Sequence, residues 1–409
     1  MDTRVIPLSD IDASDVAKWH DLADNALEPN LCLEPDTLLS IVSHNLAGPE
    51  LRLVVSERDD RFEACVGVQQ RQWRTRASRR VVTSRPDAHP TPLLPRLGVP
   101  LVREGGGAEA VGALLSTITS LDQPRGAHVL DLERVWKDGP VAALVREACA
   151  NLELPLHTLE EWDLPILQRR EQDGYWTSSW SRHQRRKIKR RRRQLADVFD
   201  APVQCVDRSD DPRAVDDLMA LEQAGWKGKA GTAIRNDVDR AGFLRAVCER
   251  FRSRSKLHLL SLEADGVNVA MKCCMSVGPT FFIMRSAYDE RYRRFGPGVL
   301  LAVATAEYFD SSTAALWMDP CCSPTNVLYP RLLPDRKRMC RMMIAGDRLG
   351  SRVLLAGLPR WEAMNRRLGT LRDDLVQVLD RRTVSVGGLV RPMGRQIDAQ
   401  DREEPFGAP

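Results

Sequence analysis

The residues with the clearest chemical content form a short loop ahead of a predicted helix: Arg293-Arg294-Phe295-Gly296-Pro297-Gly298. Gly296 and Gly298 would let backbone N–H groups approach a ligand closely, and the helix N-terminus adds partial positive charge. Arg293 and Arg294 add full positive charges. These features together are typical of a site for phosphate or pyrophosphate. Gly-Pro-Gly is also ordinary turn chemistry, so the pattern alone leaves a purely structural turn open.

Three other residues stand where they could contact a substrate. Asp319 follows a predicted strand at residues 314–318, and a carboxylate at a strand end can act as a general base or bind an acceptor. Trp226 and Lys227 follow a predicted helix at residues 216–224 and could line a cleft. Trp226 is equally consistent with a core residue.

The positive charge of the chain is concentrated in one segment, Arg182 to Arg193. Nine of its twelve residues are lysine or arginine, whereas the whole chain has a formal net charge of +4, so the remainder is net negative. Ser179 or Ser181 would cap a helix here, with Ile188 and Leu195 as apolar anchors. Such a helix is either a solvated edge of the fold or a surface that attracts a polyanion, such as cofactor phosphates, RNA or an anionic membrane.

The rest of the composition excludes several classes of protein. Hydrophobic residues make up 43% of the chain, which is enough for packed cores and excludes a disordered chain. The ten cysteines show no C-x-x-C spacing and the seven histidines no H-E-x-x-H motif, so we expect neither a disulfide framework nor a metal. Serine-hydrolase and P-loop motifs do not occur either. Without a membrane span or a secretory signal, we expect a cytoplasmic protein.

The second half of the chain has the more legible pattern of elements. The predicted order is helix 216–224, helix 238–252, strands 257–263, 267–276 and 280–286, a loop over 287–295, helix 297–309 and strand 314–318. An Asp-Gly turn joins the first two strands as a hairpin. Proline at the start of helix 297–309 costs little, because the first turn has no use for its missing N–H.

The first half mixes helices and strands with less contrast. Helices are predicted at 13–26, 35–46, 108–118 and 141–150, and strands at 51–56, 62–69 and 128–132. Residues 361–379 are predicted to be helical, and 383–409 to form a mobile polar tail. We therefore expect an N-terminal lobe at 1–165, a catalytic lobe at 166–345 that includes the basic segment, and an extension at 346–409.

This order of elements is that of the GNAT acyltransferase fold, and Arg293-x-x-Gly296-x-Gly298 resembles the acyl-CoA pyrophosphate motif of that superfamily. Residues 221–329 are similar to the acetyltransferase branch related to the cellulose-biosynthesis CelD proteins and to the two-lobed Fem aminoacyltransferases. The likeness is carried by residues 221–228, 287–289, 295–301 and 317–319. Where that family often has a Tyr-Lys pair after its last strand, this sequence has Tyr329 without an adjacent lysine.

The resemblance implies an α+β fold with two GNAT-like lobes, each a mostly antiparallel central sheet flanked by helices. It implies transfer of an acyl group from acetyl-CoA or another acyl-CoA directly to an amine or hydroxyl. A backbone N–H between Ile283 and Arg285 would stabilise the oxyanion. The expected site is Ile283, Arg285, Arg293, Arg294, Gly296 and Gly298 for the donor, Trp226 and Lys227 for the acceptor, and Tyr329 as acid with Asp319 as base.

Two alternatives are left open. A Fem-like transferase would take its donor from aminoacyl-tRNA, and the basic segment would give it affinity for RNA. A non-catalytic nucleic-acid-binding protein would keep the fold as a scaffold, although few aromatic residues are interleaved in the segment to stack bases. We expect the acceptor to be a small molecule or a precursor of the cell envelope or of a polysaccharide. The sequence gives neither its identity nor the oligomeric state.

Overall fold

We describe the protein from a computed structural model, which defines residues 1–47, 51–72, 80–83, 97–121, 129–172, 174–346, 349–353 and 355–357. The helix predicted at 361–379 and the tail predicted from 383 lie outside these residues. Within the described ranges, no helix has the length and apolar character that crossing a bilayer requires.

Strands and helices alternate irregularly along the chain. The strands are β1 (Asp2–Pro7), β2 (Arg52–Arg58), β3 (Arg61–Gln72), β4 (Arg80–Thr83), β5 (Leu101–Val102), β6 (Val129–Trp136), β7 (Leu156–Gln168), β8 (Gln204–Asp207), β9 (Leu257–Ala264), β10 (Val267–Val277), β11 (Thr280–Tyr288), β12 (Trp317–Asp319) and β13 (Asp335–Ala345). The helices are α1 (Ala13–Asp24), α2 (Pro35–Ser43), α3 (Ala108–Ser120), α4 (Pro140–Asn151), α5 (Arg182–Phe199), α6 (Ala214–Ala224), α7 (Trp226–Lys229), α8 (Val238–Ser253), α9 (Pro297–Ser312) and α10 (Tyr329–Leu332).

The strands form one continuous hydrogen-bonded series in the order β1-β2-β3-β4-β6-β13-β7-β12-β11-β10-β9-β8, with β5 paired to β3. Neighbours are antiparallel except at β4–β6 and β11–β12, which are parallel. The last described strand, β13, lies in the middle and pairs with both β6 and β7. It therefore joins the sheet of the first half to that of the second. The lobe boundary predicted at residue 165 falls within β7.

Helices cover both faces of the β8–β12 part of the sheet. The apolar sides of α6 and α8, together with α1 and α2 from the first half, pack on one face. The apolar residues of α5 and α9 pack on the other. Cys273 and Cys274, neighbours on β10, belong to these two different cores, as the alternation of side chains along a strand predicts. A third core holds α3 and α4 against β2, β3 and β6.

The α+β fold with GNAT-like sheets and flanking helices is confirmed, and so are most of the elements on which it was predicted. The β9–β10 hairpin turns at Asp265-Gly266, both in the left-handed region with φ of +48° and +71°. The helix predicted from Pro297 is α9, and proline occupies its first turn. The basic segment is helical as predicted.

Two loops were predicted wrongly. Residues 226–229 form the short helix α7, and most of the 287–295 loop is a 3-10 helix, Glu290–Phe295. Short helical turns give little periodic signal, so the polar and glycine residues there indicated a loop. Strands β1, β4, β5, β7, β8 and β13 were also not predicted. β13 and β7 are the longest pair in the sheet's centre, and their partners are far apart in sequence.

Candidate functional site

The bend that leads into α9 is open on the surface. The 3-10 helix Glu290–Phe295 ends at Gly296, which has φ of +63°, a left-handed conformation that glycine adopts without steric cost. The amide of Gly298 lies in the first turn of α9, where a helix provides no internal partner. Gly296 and Gly298 are half-buried and Arg293 and Arg294 are exposed, so an anion could reach the bend. Side chains do not seal it.

The basic helix α5 packs beside this bend. A Cβ atom built on Gly296 would lie 2.8 Å from Nη1 of Arg191, so the guanidinium of Arg191 rests directly on the glycine. Burial and the neighbouring Arg190 lower the pKa of Arg191, because both disfavour its charged form. An anion bound at the bend would have the opposite effect. The basic helix and the glycine bend are thus one electropositive surface.

Packing of α5 follows the predicted pattern. Its N-cap is Ser181, whose hydroxyl accepts a hydrogen bond from the amide of Gln184 at 3.1 Å. Ile188 and Leu195 are its two buried residues. The cations on the remaining surface are exposed, namely Arg182, Arg185, Arg186, Lys189, Arg190, Arg192 and Arg193.

Strands β11 and β12 separate in the centre of the sheet. They pair in register only at residues 280–282 of β11, and the last pair is Phe282 with Asp319. β11 then continues to Tyr288 with no β12 partner, and a bulge at this point leaves Ile283 opposite Cys274 in β10. Bulges bend a strand and redirect its backbone groups, and within the described residues the stretch of β11 after Phe282 has no β12 strand beside it. Ile283, with its side chain buried, is the first residue of this stretch.

Tyr329 begins α10 and points its hydroxyl at a lysine. Nζ of Lys272, on β10, donates a hydrogen bond of 3.0 Å to the Tyr329 oxygen, and both side chains are buried. An ammonium group has only donors, so the tyrosine oxygen must accept and its own O–H is not consumed by this bond. This bond holds Tyr329 in a fixed orientation.

Arg285 does not project freely toward a donor. Its guanidinium forms two hydrogen bonds with Glu222 on α6, at 2.9 and 3.1 Å, and all of these groups are buried. Lys227 shares the same carboxylate at 2.8 Å. Burial would raise the pKa of Glu222, but the charges of Arg285 and Lys227 and their hydrogen bonds lower it to about 2. The predicted donor residue Arg285 and acceptor residue Lys227 are thus members of one ion cluster.

Trp226 and Asp319 are the other two residues predicted to contact the acceptor or its proton. Trp226 is half-buried, and Nζ of Lys227 is 5.7 Å from the centre of its ring. Asp319 is buried at the end of β12, where its carboxylate accepts a hydrogen bond of 2.6 Å from the amide of Cys321. It lines a recess between the two halves of the molecule. Asp319 is therefore next to the separation of β11 and β12.

Three residues that sequence reasoning missed complete the site: Arg191, Glu222 and Lys272. Arg191 was one of nine similar cations, and nothing in the run distinguished it. Lys272 stands in an apolar strand, which is a detectable signal because an isolated lysine in a buried strand needs a reason. Glu222 was hidden in a helix whose other charges are exposed.

A second polar cluster joins α1 and α2 to the turn after α8. Ligand atoms of His20, Glu34 and Asp36 lie within 4.8 Å of one another, as in some metal sites. Arg254 occupies their centre: its Nη1 is 2.7 Å from Nδ1 of His20 and 3.4 Å from Asp36. Burial raises the pKa of Glu34 to about 7. We interpret this group as an ion cluster that ties the first half of the chain to the second.

The comparisons with known proteins agree with this geometry. Residues 182–310 match the sequence model of the acetyltransferase (GNAT) domain family. The fold is similar to that of FemX, with 10% identity and a TM-score of 0.56 over 87% of this chain and 99% of that one. It is also similar to a conserved protein of unknown function from Bacteroides thetaiotaomicron VPI-5482, with 12% identity and a TM-score of 0.51 over 83% of this chain and 98% of that one. Curated proteins gave no significant match to the sequence.

Residues 182–310 thus match a GNAT acetyltransferase domain in sequence, and the fold as a whole is similar to that of FemX. The resemblance to two-lobed, Fem-like GNAT acyltransferases that was stated from the sequence is confirmed.

Proposed function

We propose that the protein transfers an acyl group from acetyl-CoA, or another acyl-CoA, directly to an amine or hydroxyl. The observation that carries this proposal is the open bend at Gly296, where a helix N-terminus and the guanidinium of Arg191 converge. Free amides and cations at a helix N-terminus favour a pyrophosphate more than any neutral ligand. Arg293 and Arg294, both exposed beside the bend, would add ion pairs to the phosphates.

The donor would then extend from the bend toward the separation of β11 and β12. In this proposal the amide groups of the acyl-CoA form hydrogen bonds with the backbone of β11 after Phe282. The thioester then lies near Ile283. A backbone N–H between Ile283 and Arg285 would stabilise the charge that develops on the thioester oxygen. Side-chain contact with the donor is not expected of Arg285, because Glu222 holds its guanidinium.

The chemical step needs a neutral nucleophile and an acid for the leaving group. The acceptor nitrogen or oxygen attacks the thioester carbon, a bond to carbon forms, and the carbon–sulfur bond breaks. We assign the role of base to Asp319, which would take the proton of the attacking group, and the role of acid to Tyr329, which would give its hydroxyl proton to the thiolate. Trp226 and Lys227 would border the acceptor. Most of the acceleration would come from holding the two reactants together.

A thermal-shift and calorimetric screen with acetyl-CoA, longer acyl-CoAs, free CoA and ATP tests the donor without knowledge of the acceptor. A ligand at a hundred times its Kd adds about 2.7 kcal/mol of stability, which raises Tm by several degrees. We expect acyl-CoAs to stabilise the protein and ATP to do so much less. The proposal is wrong if no acyl-CoA raises Tm, or if ATP raises it equally.

Aminoacyl-tRNA is the second candidate donor, and the exposed cations of α5 next to the bend favour it. A polyanion neutralised by several of these side chains would bind with a steep dependence on salt. Binding of tRNA, measured at 50 and 200 mM salt beside acetyl-CoA binding, separates the two donors. The double variant Arg186→Gln/Arg190→Gln removes two exposed charges of α5 one turn apart and should weaken only tRNA. Tight, salt-sensitive tRNA binding without acyl-CoA binding would favour this second function.

A further inference from the structure

A recess lies where the two halves of the molecule meet, beside the end of β12. The empty space in and above it is about 500 Å³ with open solvent included, and its lining includes Glu28, Arg134, Trp136, Trp317, Asp319 and Lys337. The first three of these belong to the N-terminal half and the others to the second half. Its walls therefore exist only because β13 joins the two sheets.

Arg134 brings an incompletely satisfied guanidinium to this recess. Nη1 donates to the carbonyl oxygen of Cys321 at 3.3 Å, whereas Nε and Nη2 are buried and have no hydrogen-bond partner among the described residues. A buried, unpaired donor on a charged group is costly, because it has lost its hydrogen bonds to water. The backbone of Arg134 is also strained, with φ of +55°, as is that of Cys321, with φ of +51°.

Lys337 brings a second cation. Its ammonium lies 4.1 Å from the centre of the Trp136 ring and 5.9 Å from that of Trp317. Within the described residues it has no ion pair, and burial lowers its pKa, although the charges of Asp319 and Glu28 act in the opposite direction. The indole rings of Trp136 and Trp317 and the partly desolvated ammonium of Lys337 border a space that is open on one side. An anion that enters from that side would contact the ammonium.

The two carboxylates of the recess are satisfied by backbone amides rather than by these cations. Glu28 accepts a hydrogen bond of 2.9 Å from the amide of Val141, and burial raises its pKa. Asp319 accepts one from Cys321. Within the described residues neither Arg134 nor Lys337 forms an ion pair with these carboxylates, although the charges of Asp319 and Glu28 act on Lys337 across the recess. Asp319 lies at the point where the β11–β12 pairing ends.

We propose that this recess binds the acceptor, and that the acceptor is a small molecule with a primary amine at one end and a carboxylate or phosphate at the other. The inference rests on the proposed function. The anionic end pairs with Arg134 and Lys337, the carbon chain packs between Trp136 and Trp317, and the amine reaches Asp319. The amine nitrogen attacks the thioester carbon and gives up its proton to Asp319, while the sulfur leaves and is protonated.

Matched probes test both ends of this molecule. β-Alanine, propionate and propylamine share a three-carbon skeleton, and phosphoethanolamine, ethanolamine and inorganic phosphate form a second set that distinguishes a carboxylate from a phosphate end. Binding is measured by ligand-observed NMR and calorimetry on the full chain, with and without acetyl-CoA. We expect at least one two-ended probe to bind about tenfold or more tightly than either of its single-ended counterparts. Equal binding of amine-only or anion-only probes would overturn the inference.

Variants connect that binding to the recess. Arg134→Gln and Lys337→Met should each weaken the two-ended probe about tenfold or more and leave acetyl-CoA binding unchanged. Arg338→Met is the control, because Arg338 is adjacent on β13, exposed, and paired with Glu161. If acetyl-CoA binds but no two-ended probe does, the inference is wrong and the proposed function stands. If acetyl-CoA also fails to bind, the proposed function falls with it. If both variants bind the two-ended probe as tightly as the wild type does, the acceptor does not bind in this recess.

Discussion

Lys272 and Tyr329 form a buried hydrogen bond of 3.0 Å that joins the middle of β10 to the start of α10. The ammonium also lies 5.6 Å from the centre of the tyrosine ring. No lysine directly follows Tyr329 in the sequence, but Lys272, from another strand, lies next to it in the fold. The pair fixes the phenol beside the part of the sheet where β11 and β12 separate.

The first prediction concerns that phenol. Tyr329→Phe should lower kcat about a hundredfold, because the thiolate loses its acid, while acetyl-CoA affinity stays within about twofold. Release of CoA with saturating acceptor, followed by thiol titration, measures the first quantity and calorimetry the second. Tyr308→Phe makes the same chemical change at a hydroxyl bonded to Asp207 and should leave kcat unchanged. An unaltered kcat in Tyr329→Phe would remove this residue from the mechanism.

Local signals in the sequence predicted the glycine bend that we propose holds the donor. A glycine before a proline that opens a helix is a short-range pattern, and the structure has Gly296 as the left-handed N-cap of α9. Helix α5 and the β9–β11 strands were predicted for the same reason. These elements depend on neighbours in the chain, so composition and periodicity define them.

Contacts between distant residues could not be predicted. β13 pairs with β6 and β7 across most of the length of the chain, and one sequence carries no signal for that choice of partners. The recess depends on this pairing, so Arg134 and Lys337 were not recognised as neighbours. Arg285 was expected to hold the donor because it lies on a predicted strand. Its ion pair with Glu222, on α6, could not be predicted.

The second prediction concerns the bend before α9. Gly296→Ala should weaken acetyl-CoA at least about tenfold, because a Cβ there would displace Arg191 and strain a left-handed backbone. Calorimetry measures the affinity and thermal unfolding the stability. Gly266→Ala, in the β9–β10 turn, has a similar φ of +71° and open space around its Cβ. It should cost comparable stability, about 1 kcal/mol, without affecting acetyl-CoA. Equal affinities in both variants would contradict the proposed donor site.

The third prediction follows from Glu34, whose pKa is raised to about 7 by burial. A raised pKa in the folded state means that the fold prefers the protonated acid, so this contribution to stability is present below about pH 4.5 and lost as pH rises through 7. The free energy of unfolding of the wild type should therefore fall relative to Glu34→Gln between pH 5 and 8.5, by up to about 3 kcal/mol. Urea unfolding across this range measures the difference. A difference independent of pH would show that Glu34 is ionised throughout.

The fourth prediction concerns Glu222, whose pKa shift has the opposite sign to that of Glu34. Although burial acts against it, Arg285 and Lys227 hold the pKa of Glu222 at about 2, so its stabilising effect is present above pH 4.5 and lost as pH falls toward 2. Glu222→Gln leaves two buried cations without their anion and should lower the free energy of unfolding at pH 7 by about 3–5 kcal/mol. Denaturant titrations at pH 7 and pH 3 should show that the difference in free energy of unfolding between the wild type and Glu222→Gln is smaller at pH 3. A larger difference at pH 3 would exclude this ion cluster as its cause.

The fifth prediction sets stability against binding in the recess. Lys337→Met should raise the free energy of unfolding at pH 7 by about 1–2 kcal/mol, because an unpaired ammonium no longer has to be desolvated. Burial lowers the pKa of Lys337, so the wild type regains this stability as pH rises toward 10.5, the ordinary value for lysine, and the advantage of the variant should shrink. Arg338→Met, which removes an exposed ion pair, should leave the free energy of unfolding almost unchanged at either pH. A Lys337→Met variant that is less stable than the wild type would mean that the lysine has a structural partner, and that a ligand anion is not needed to explain it.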